Sequence, residues 1–338
     1  MQRRLFLLST TAGALGALTA CGGGGGGPAE SSANSTLVVT ESSAAVTPVG
    51  GDTSEPATST DTASALPAKV LACYYTTWDT SRYDLTDVPT DFNVIYLFHS
   101  KPKGTPVNGS YNNVGDGSFY FEHHSTVTAA QVQACRQRGQ RVILTVGGAG
   151  AGYAWDNRTK SRNFVASFQG MYARLGGVDG IDFNNYEATI LNTANVAAVT
   201  AEMIWIAQQL RALYGADFAI TSPPQPNDPN QQSLMAGLAR AGVLDWAGPQ
   251  FYDWTGFNAS GYITGRMNTW VSLVGGDASR TLVGLSANYS NGPSLADCVR
   301  EWNAVKAAHP EIRGMFCWSA QTNLAGGHGW GSTMKKLL

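Results

Sequence analysis

From about position 67 onward the chain alternates between two kinds of segment. Short apolar runs recur at 69–78 (KVLACYYTTW), 92–98 (FNVIYLF), 141–148 (RVILTVGG), 178–183 (VDGIDF), 217–224 (DFAITSPP), 246–254 (WAGPQFYDW), 280–287 (RTLVGLSA) and 313–320 (RGMFCWSA). Between them lie segments long enough for a helix, several with helical spacing and few breakers. Examples are TAAQVQACRQRG, RNFVASFQGMYARLGG, NVAAVTAEMIWIAQQLRALYG and LADCVREWNAVKAAH. The glycines that follow ACRQR, MYARL and LRALY, namely Gly139, Gly176 and Gly215, read as helix C-caps. Strands that are apolar throughout and alternate with helices imply parallel strands covered by helices. Eight of them in roughly 270 residues fit a (β/α)8 TIM barrel. A doubly wound open sheet is the competing architecture, but no Gly-rich phosphate turn follows the first strand.

In such a barrel, function sits at the C-terminal ends of the strands. Those ends carry Tyr75, Thr77 and Trp78; Phe98 and His99; Gly147 and Gly148; the stretch from Asp182 to Glu187; Gln225; Gln250, Tyr252, Asp253 and Trp254; Asn288; and Trp318. This rim is aromatic, amide and acidic, with almost no Lys or Arg. Aromatic faces stack on the C–H faces of sugar rings, while amides and carboxylates match hydroxyls and acetamides. His123 and His124 fall in a polar loop and are expected in solvent, and His99 and His328 carry no expected chemistry. The long segment after the second strand, 100–126, either plugs the cleft or builds one of its walls.

Upstream of the barrel the pattern changes. MQRRLFLLSTTAGALGALTAC places Arg3 and Arg4 before an apolar run too short and too rich in Gly, Ala and Thr to span a membrane as a helix. Its end, Leu18-Thr19-Ala20-Cys21, resembles a bacterial lipobox, which implies cleavage before Cys21 and lipid on its thiol. RRLFL is also similar to a twin-arginine export signal. Six glycines follow Cys21, and the sequence to about Ala65 is Gly, Ser, Thr, Ala and Pro without apolar periodicity. The expected organisation is a lipoprotein signal peptide at 1–20, a lipid-anchored linker at 21–66 and the barrel at 67–338. The expected place is the bacterial cell envelope, with the membrane reached through Cys21.

Composition narrows the partners. The 338 residues are 43% hydrophobic and 14% charged, with a formal net charge of −2. No basic face is visible for nucleic acid. Beyond Cys21 the cysteines are Cys73, Cys135, Cys298 and Cys317. An even number in an exported chain permits disulfides, and buried free thiols are the alternative. No spacing suggests zinc, so no metal and no cofactor is expected.

Five segments in order resemble one family. VLACYYTTW is similar to the first strand of the family 18 glycoside hydrolases, the chitinase and endo-β-N-acetylglucosaminidase family. ILTVGGAGAG resembles their SxGG motif with Thr145 at the Ser position, and VDGIDFNNYE resembles the fourth-strand DGxDxDxE motif. PQFYDW resembles the Tyr-Asp segment and GMFCWS the last strand with its Trp. The resemblance covers 69–330. It implies a substrate-assisted retaining reaction, one of the exceptions to the two-carboxylate scheme. One Glu protonates the leaving oxygen while the substrate's N-acetyl carbonyl attacks the anomeric carbon. By the same resemblance Asp179 and Asp182 match the first two acids, Tyr252 and Asp253 the pair that holds the acetamide, and Trp318 the floor of the subsite. Tyr75, Trp78 and Gln250 complete the substrate-binding set.

Two positions depart from that motif. Asn184 stands where the third acid belongs and Tyr186 where the proton donor belongs. With side chains alternating at period two, Asp182, Asn184 and Tyr186 share one face, and Asn185 and Glu187 the other. A β-bulge would reset that parity, bringing Asn185 to the acetamide and Glu187 to the proton-donor place. Family 85 endo-glycosidases resemble this, with an Asn-x-Glu pair. Alternatively the strand ends at Asn184 and the turn sets where Glu187 points. The expected activity is hydrolysis of β-1,4-linked N-acetylglucosamine glycans, whether chitin, N-glycan or peptidoglycan-derived. The alternatives are an inactive family 18-like lectin and a protein-binding scaffold on the same barrel.

Overall fold

The computed structural model describes residues 65–79, 83–184, 190–287 and 292–338. Nine strands form one sheet system: β1 (Val70–Thr76), β2 (Val94–Pro102), β3 (Phe119–Tyr120), β4 (Arg141–Gly147), β5 (Gly180–Asn184), β6 (Ala219–Ser222), β7 (Trp246–Ala247), β8 (Leu282–Ser286) and β9 (Gly314–Trp318). Eight of them run parallel in the order β7-β6-β5-β4-β2-β1-β9-β8. Parallel bridges Ala247↔Thr281 and Gln250↔Gly284 join β7 and the residues beyond it to β8. There Gly284 N–H donates to Pro249 O at 3.0 Å and Phe251 N–H to Gly284 O at 2.8 Å. The sheet thus curls into the (β/α)8 barrel that alternating apolar runs imply.

Helices α1 (Ala129–Gln137), α2 (Arg158–Arg174), α3 (Val196–Tyr214), α4 (Pro229–Arg240), α5 (Tyr262–Leu273), α6 (Leu295–Ala308), α7 (Ala320–Ala325) and α8 (Gly329–Leu337) surround it. Their starts are written in the sequence. Thr128 with Gln131, and Ser294 with Asp297, form capping boxes, and Asp228 caps α4 ahead of Pro229. Gly139, Gly176 and Gly215, just beyond α1, α2 and α3, have φ of 84°, 71° and 100°, conformations that favour glycine.

Period-two alternation divides the apolar residues between two layers. Inside the barrel lie Val70, Ala72, Tyr74, Val94, Tyr96, Ile143, Ala219, Trp246, Leu282 and Phe316. Between sheet and helices lies the larger layer, which includes Leu71, Cys73, Tyr75, Leu97, Leu144, Ile181 and Cys317. Cys73 and Cys317 are register partners on β1 and β9, and they, Cys135 and Cys298 are all free and buried.

The segment after β2 follows the wall of the barrel. β3 pairs antiparallel with β2. Its neighbours bind the loop after β4, with Tyr111 N–H donating to Gly150 O at 2.6 Å and Asn113 N–H to Gly152 O at 2.9 Å. Trp155 Nε1–H donates to Gly117 O at 3.2 Å, and Phe119 N–H to Ser167 Oγ on α2 at 3.0 Å. Of the two roles expected for 100–126, these contacts are those of a wall.

Candidate active site

The strands deliver one buried acid to the upper interior of the barrel. Asp182, on β5, is 1% exposed. Its Oδ2 accepts from Tyr74 Oη at 2.8 Å and from Thr145 Oγ1 at 3.1 Å, and its Oδ1 from Thr221 Oγ1 at 2.7 Å. The three donors come from β1, β4 and β6, so four strands converge on one carboxylate. Burial pushes its pKa from the ordinary 3.8 up to about 6, and the hydroxyl bonds oppose that rise. Burial and the Asp182 charge together hold the Tyr74 phenol well above its ordinary value, so Tyr74 remains a donor. Tyr74 stacks on Tyr96 at 4.6 Å, and Tyr96 Oη accepts from Trp246 Nε1 at 2.8 Å.

Above this polar layer the mouth is aromatic. Trp318 packs edge-on to Phe98 at 4.9 Å and lies near Tyr74 at 5.6 Å. Tyr252 faces Trp318 within 20° of parallel at 6.4 Å. Tyr252 Oη donates to Gln250 Oε1 at 2.5 Å, and Gln250 Nε2 donates to Pro223 O at 2.5 Å. Phe98 also touches Trp78, which is 53% exposed at the end of β1. His99 stacks on Phe98, meets Gly147 O through Nδ1, and is driven by burial to a pKa of about 4, so it is neutral. Gly148, at φ 118°, lets the loop after β4 pass this pair. A Cβ there would lie 2.5 Å from Phe98 Cζ.

The chain matches no family model, and no curated protein matches it. Solved structures do. A family 18 chitinase from Chromobacterium violaceum aligns with a TM-score of 0.66 at 19% identity, covering 80% of this chain and 84% of that one. A family 18 chitinase from Crocus vernus gives 0.62 at 15% identity, with 79% and 98% covered. The group IV chitinase of Ostrinia furnacalis, in complex with allosamidin, gives 0.61 at 12%, with 80% and 98% covered. The fold is that of the family 18 chitinases.

On this barrel the candidate residues separate into those brought together and those kept apart. Asp182, Tyr252, Gln250 and Trp318 converge at the mouth, Trp78 stands on its edge, and the exposed Asp253 follows Tyr252 with φ 65°. Asn184 ends β5, half-buried, in register with Gly147. Two residues assigned to substrate binding are not there. Tyr75 faces the helices, fully buried, with its Oη donating to Tyr83 O at 2.6 Å. Asp179 lies three residues before Asp182 and so on the opposite face. It pairs with Arg136 of α1, whose Nε lies 3.2 Å from Oδ1, and accepts from Val142 N–H at 2.9 Å.

The bulge placed after Asp182 is not found within the strand. The pairs Asp182↔Thr145, Phe183↔Val146 and Asn184↔Gly147 are continuous, so parity is kept through Asn184. Asn185, Tyr186 and Glu187 lie outside the described residues, as do Asn288, Cys21 and the rest of 1–64. His123 and His124, expected in solvent, are half-buried against Phe121. The donors Tyr74 and Thr221 were not singled out from sequence. Their signal is register: each is the β1 or β6 residue whose inward side chain reaches the level of Asp182.

Proposed function

We propose that the chain is a family 18 glycoside hydrolase that cleaves β-1,4-linked N-acetylglucosamine glycans with retention. The observation that supports this best is Asp182, a buried carboxylate held by three hydroxyls beneath an aromatic mouth. A protein that only stacks sugars has no need of a desolvated acid there, since burying a carboxylate is costly.

In this reading a sugar lies on Trp318, and its acetamide reaches toward Asp182, Asn184 and Tyr252. Asn184, two residues beyond Asp182 on the same face, orients the acetamide. Glu187, three residues beyond Asn184 in sequence, is assigned the glycosidic oxygen. It gives its proton to the leaving oxygen as the acetamide oxygen bonds to the anomeric carbon. Water then attacks that carbon and displaces the acetamide oxygen, and Glu187 takes a proton from the water. Asp182 lies below the acetamide and offsets the positive charge that develops on it. The N-terminal signal and Cys21 fit an enzyme exported to the cell envelope and held there by lipid.

Incubation with chitin oligosaccharides and a bi-antennary glycopeptide tests this. The wild-type chain should release shorter products from at least one of them. The Glu187→Gln variant should lose roughly 10²–10⁴-fold in rate, the range typical of a removed general acid. No product from either substrate would remove the enzyme reading. A lectin is favoured by one observation: β5 is regular through Asn184, so an amide occupies the place of the motif's third acid. Sugar affinity without turnover, unchanged in Glu187→Gln, would decide for it.

A further inference from the structure

A groove of about 470 Å3 lies between α2 and the segment that runs on from β3, and it shares no residue with the mouth. Lys103, Phe121, His124, Gly170, Met171 and Arg174 are among its lining residues. We propose that this groove binds an organic phosphate, with the phosphate group over Gly170 between Arg174, Lys103 and His124.

Three observations carry it. First, unspent positive and donor groups gather at one place. Among the described residues, the side chains of Arg174 and Lys103 form no ion pair and no hydrogen bond. His124 Nδ1 is buried without a hydrogen-bond partner, a costly state for a ring nitrogen. No Asp or Glu lines the groove among the described residues, and α2 carries none. The two carboxylates of the opposite wall are engaged. Glu122 pairs with Lys101 and, at 3.3 Å, with His123, and Asp116 accepts from Ser118 N–H at 3.0 Å.

Second, the helix geometry leaves a seat between the cations. Ser167, Gly170, Met171 and Arg174 line the groove at the three- and four-residue spacing of one helix face. Gly170 stands about 4.5 Å along the axis beyond Ser167 and about 6 Å before Arg174. Side chains lean toward the N-terminus of their helix, so Arg174 leans back toward Gly170. Lys103 comes from the other wall, where its N–H donates to Ser118 O at 2.8 Å. The next residue, Phe119, donates its N–H to Ser167 Oγ at 3.0 Å, which sets that wall against α2. A Cβ at Gly170 would meet nothing within 4 Å, so the glycine opens the seat rather than relieving a contact.

Third, the chemistry selects. The donors come from three chain segments, which suits the several directions of phosphate oxygens better than the single plane of a carboxylate. Phe121 and Met171, both buried, give the organic part an apolar floor, and the Phe121 ring meets that of His124 edge-on at 5.0 Å. Of the charges around His124, namely Arg174, Lys103, Glu122 and His123, only that of Arg174 joins burial in holding its pKa below 6.5. A phosphate placed between them reverses that effect.

Calorimetry on the purified full chain carrying Cys21→Ser, which removes the lipid site, tests the proposal. The probes are phenyl phosphate, inorganic phosphate and benzoate, with flotation on phosphatidylglycerol vesicles as a separate arm. Phenyl phosphate should bind about tenfold more tightly than either of the other two. Arg174→Gln and Lys103→Gln should each weaken it about tenfold. Gly170→Leu should abolish binding without lowering the unfolding midpoint, because leucine is the better helix former. The His124 pKa, followed by its ring-proton resonances, should rise on saturation with phenyl phosphate. Affinity for phenyl phosphate unaltered in both Gly170→Leu and Arg174→Gln overturns the site. Benzoate bound as tightly as phenyl phosphate overturns the choice of phosphate, and an unmoved His124 titration removes His124 from it. Flotation that is lost in Arg174→Gln, with no binding of phenyl phosphate, overturns the proposal in favour of a membrane surface.

Discussion

Asp182 is an acid solvated by hydroxyls, since none of its three described side-chain partners is a cation. Its pKa of about 6 therefore reflects burial only partly offset by those bonds. An acid whose pKa is raised by folding adds stability at pH values below its ordinary 3.8. That contribution is lost as pH climbs through about 6. The wild type should accordingly lose stability relative to Asp182→Asn as pH is raised across this window, by about 1.4 kcal/mol for each pH unit crossed. Urea unfolding of the two chains between these pH values measures the difference. Tyr74→Phe, one hydroxyl fewer, should move the Asp182 titration upward, as followed by carboxyl 13C NMR. A titration unmoved by that change would sink this account of the site. The acid itself was legible in VDGIDF, because a carboxylate in an otherwise apolar strand is conspicuous. Its donors were not, because β1 is apolar on both faces and its sequence does not say which of Tyr74 and Tyr75 points inward.

β5 and the residue just before it carry two aspartates with different work. Asp182 serves the mouth, and Asp179 binds the start of β4 to α1 through Val142 N–H and Arg136. Asp179 is fully buried and the Arg136 side chain only 8% exposed. Arg136→Ala leaves a buried carboxylate without its cation and should cost about 3–5 kcal/mol in urea unfolding. Adding Asp179→Asn to Arg136→Ala should recover part of that loss, which an unrelated packing defect would not allow. All eight barrel strands were legible as apolar runs, with β7 reduced to two residues: Gly248 N–H still donates to Ser222 O at 2.8 Å, and Pro249, which follows, has no N–H to give. α4 and α5 were harder to read. PNQQSLMAGLAR and YITGRMNTWVSL carry glycines, amides and β-branched residues, which are modest helix formers. Both are helices because their apolar sides, Leu234 and Leu238 on α4 and Ile263, Met267 and Trp270 on α5, pack on the barrel.

At the scale of the whole molecule, mouth and N-terminal entry lie at opposite ends of the barrel. Ala65, Leu66 and Pro67 pass under the starts of the strands. Arg141 Nε donates to Ala65 O at 3.1 Å, an Arg313 guanidinium nitrogen donates to Pro67 O at 3.1 Å, and Leu66 packs against the interior. The proposed lipid anchor predicts that wild-type chain expressed in a bacterial host partitions into the detergent phase. Cys21→Ser should release it to the aqueous phase with its glycan affinity intact, and identical partitioning of the two would exclude the anchor. The continuous register from Val70 to Thr76, with β2 on one side and β9 on the other, gives the entering segment its mechanical meaning. Traction applied upstream of Ala65 runs into β1 and is shared by two parallel ladders as shear. The loops of the rim, which follow the far ends of the strands, lie outside the path of that load.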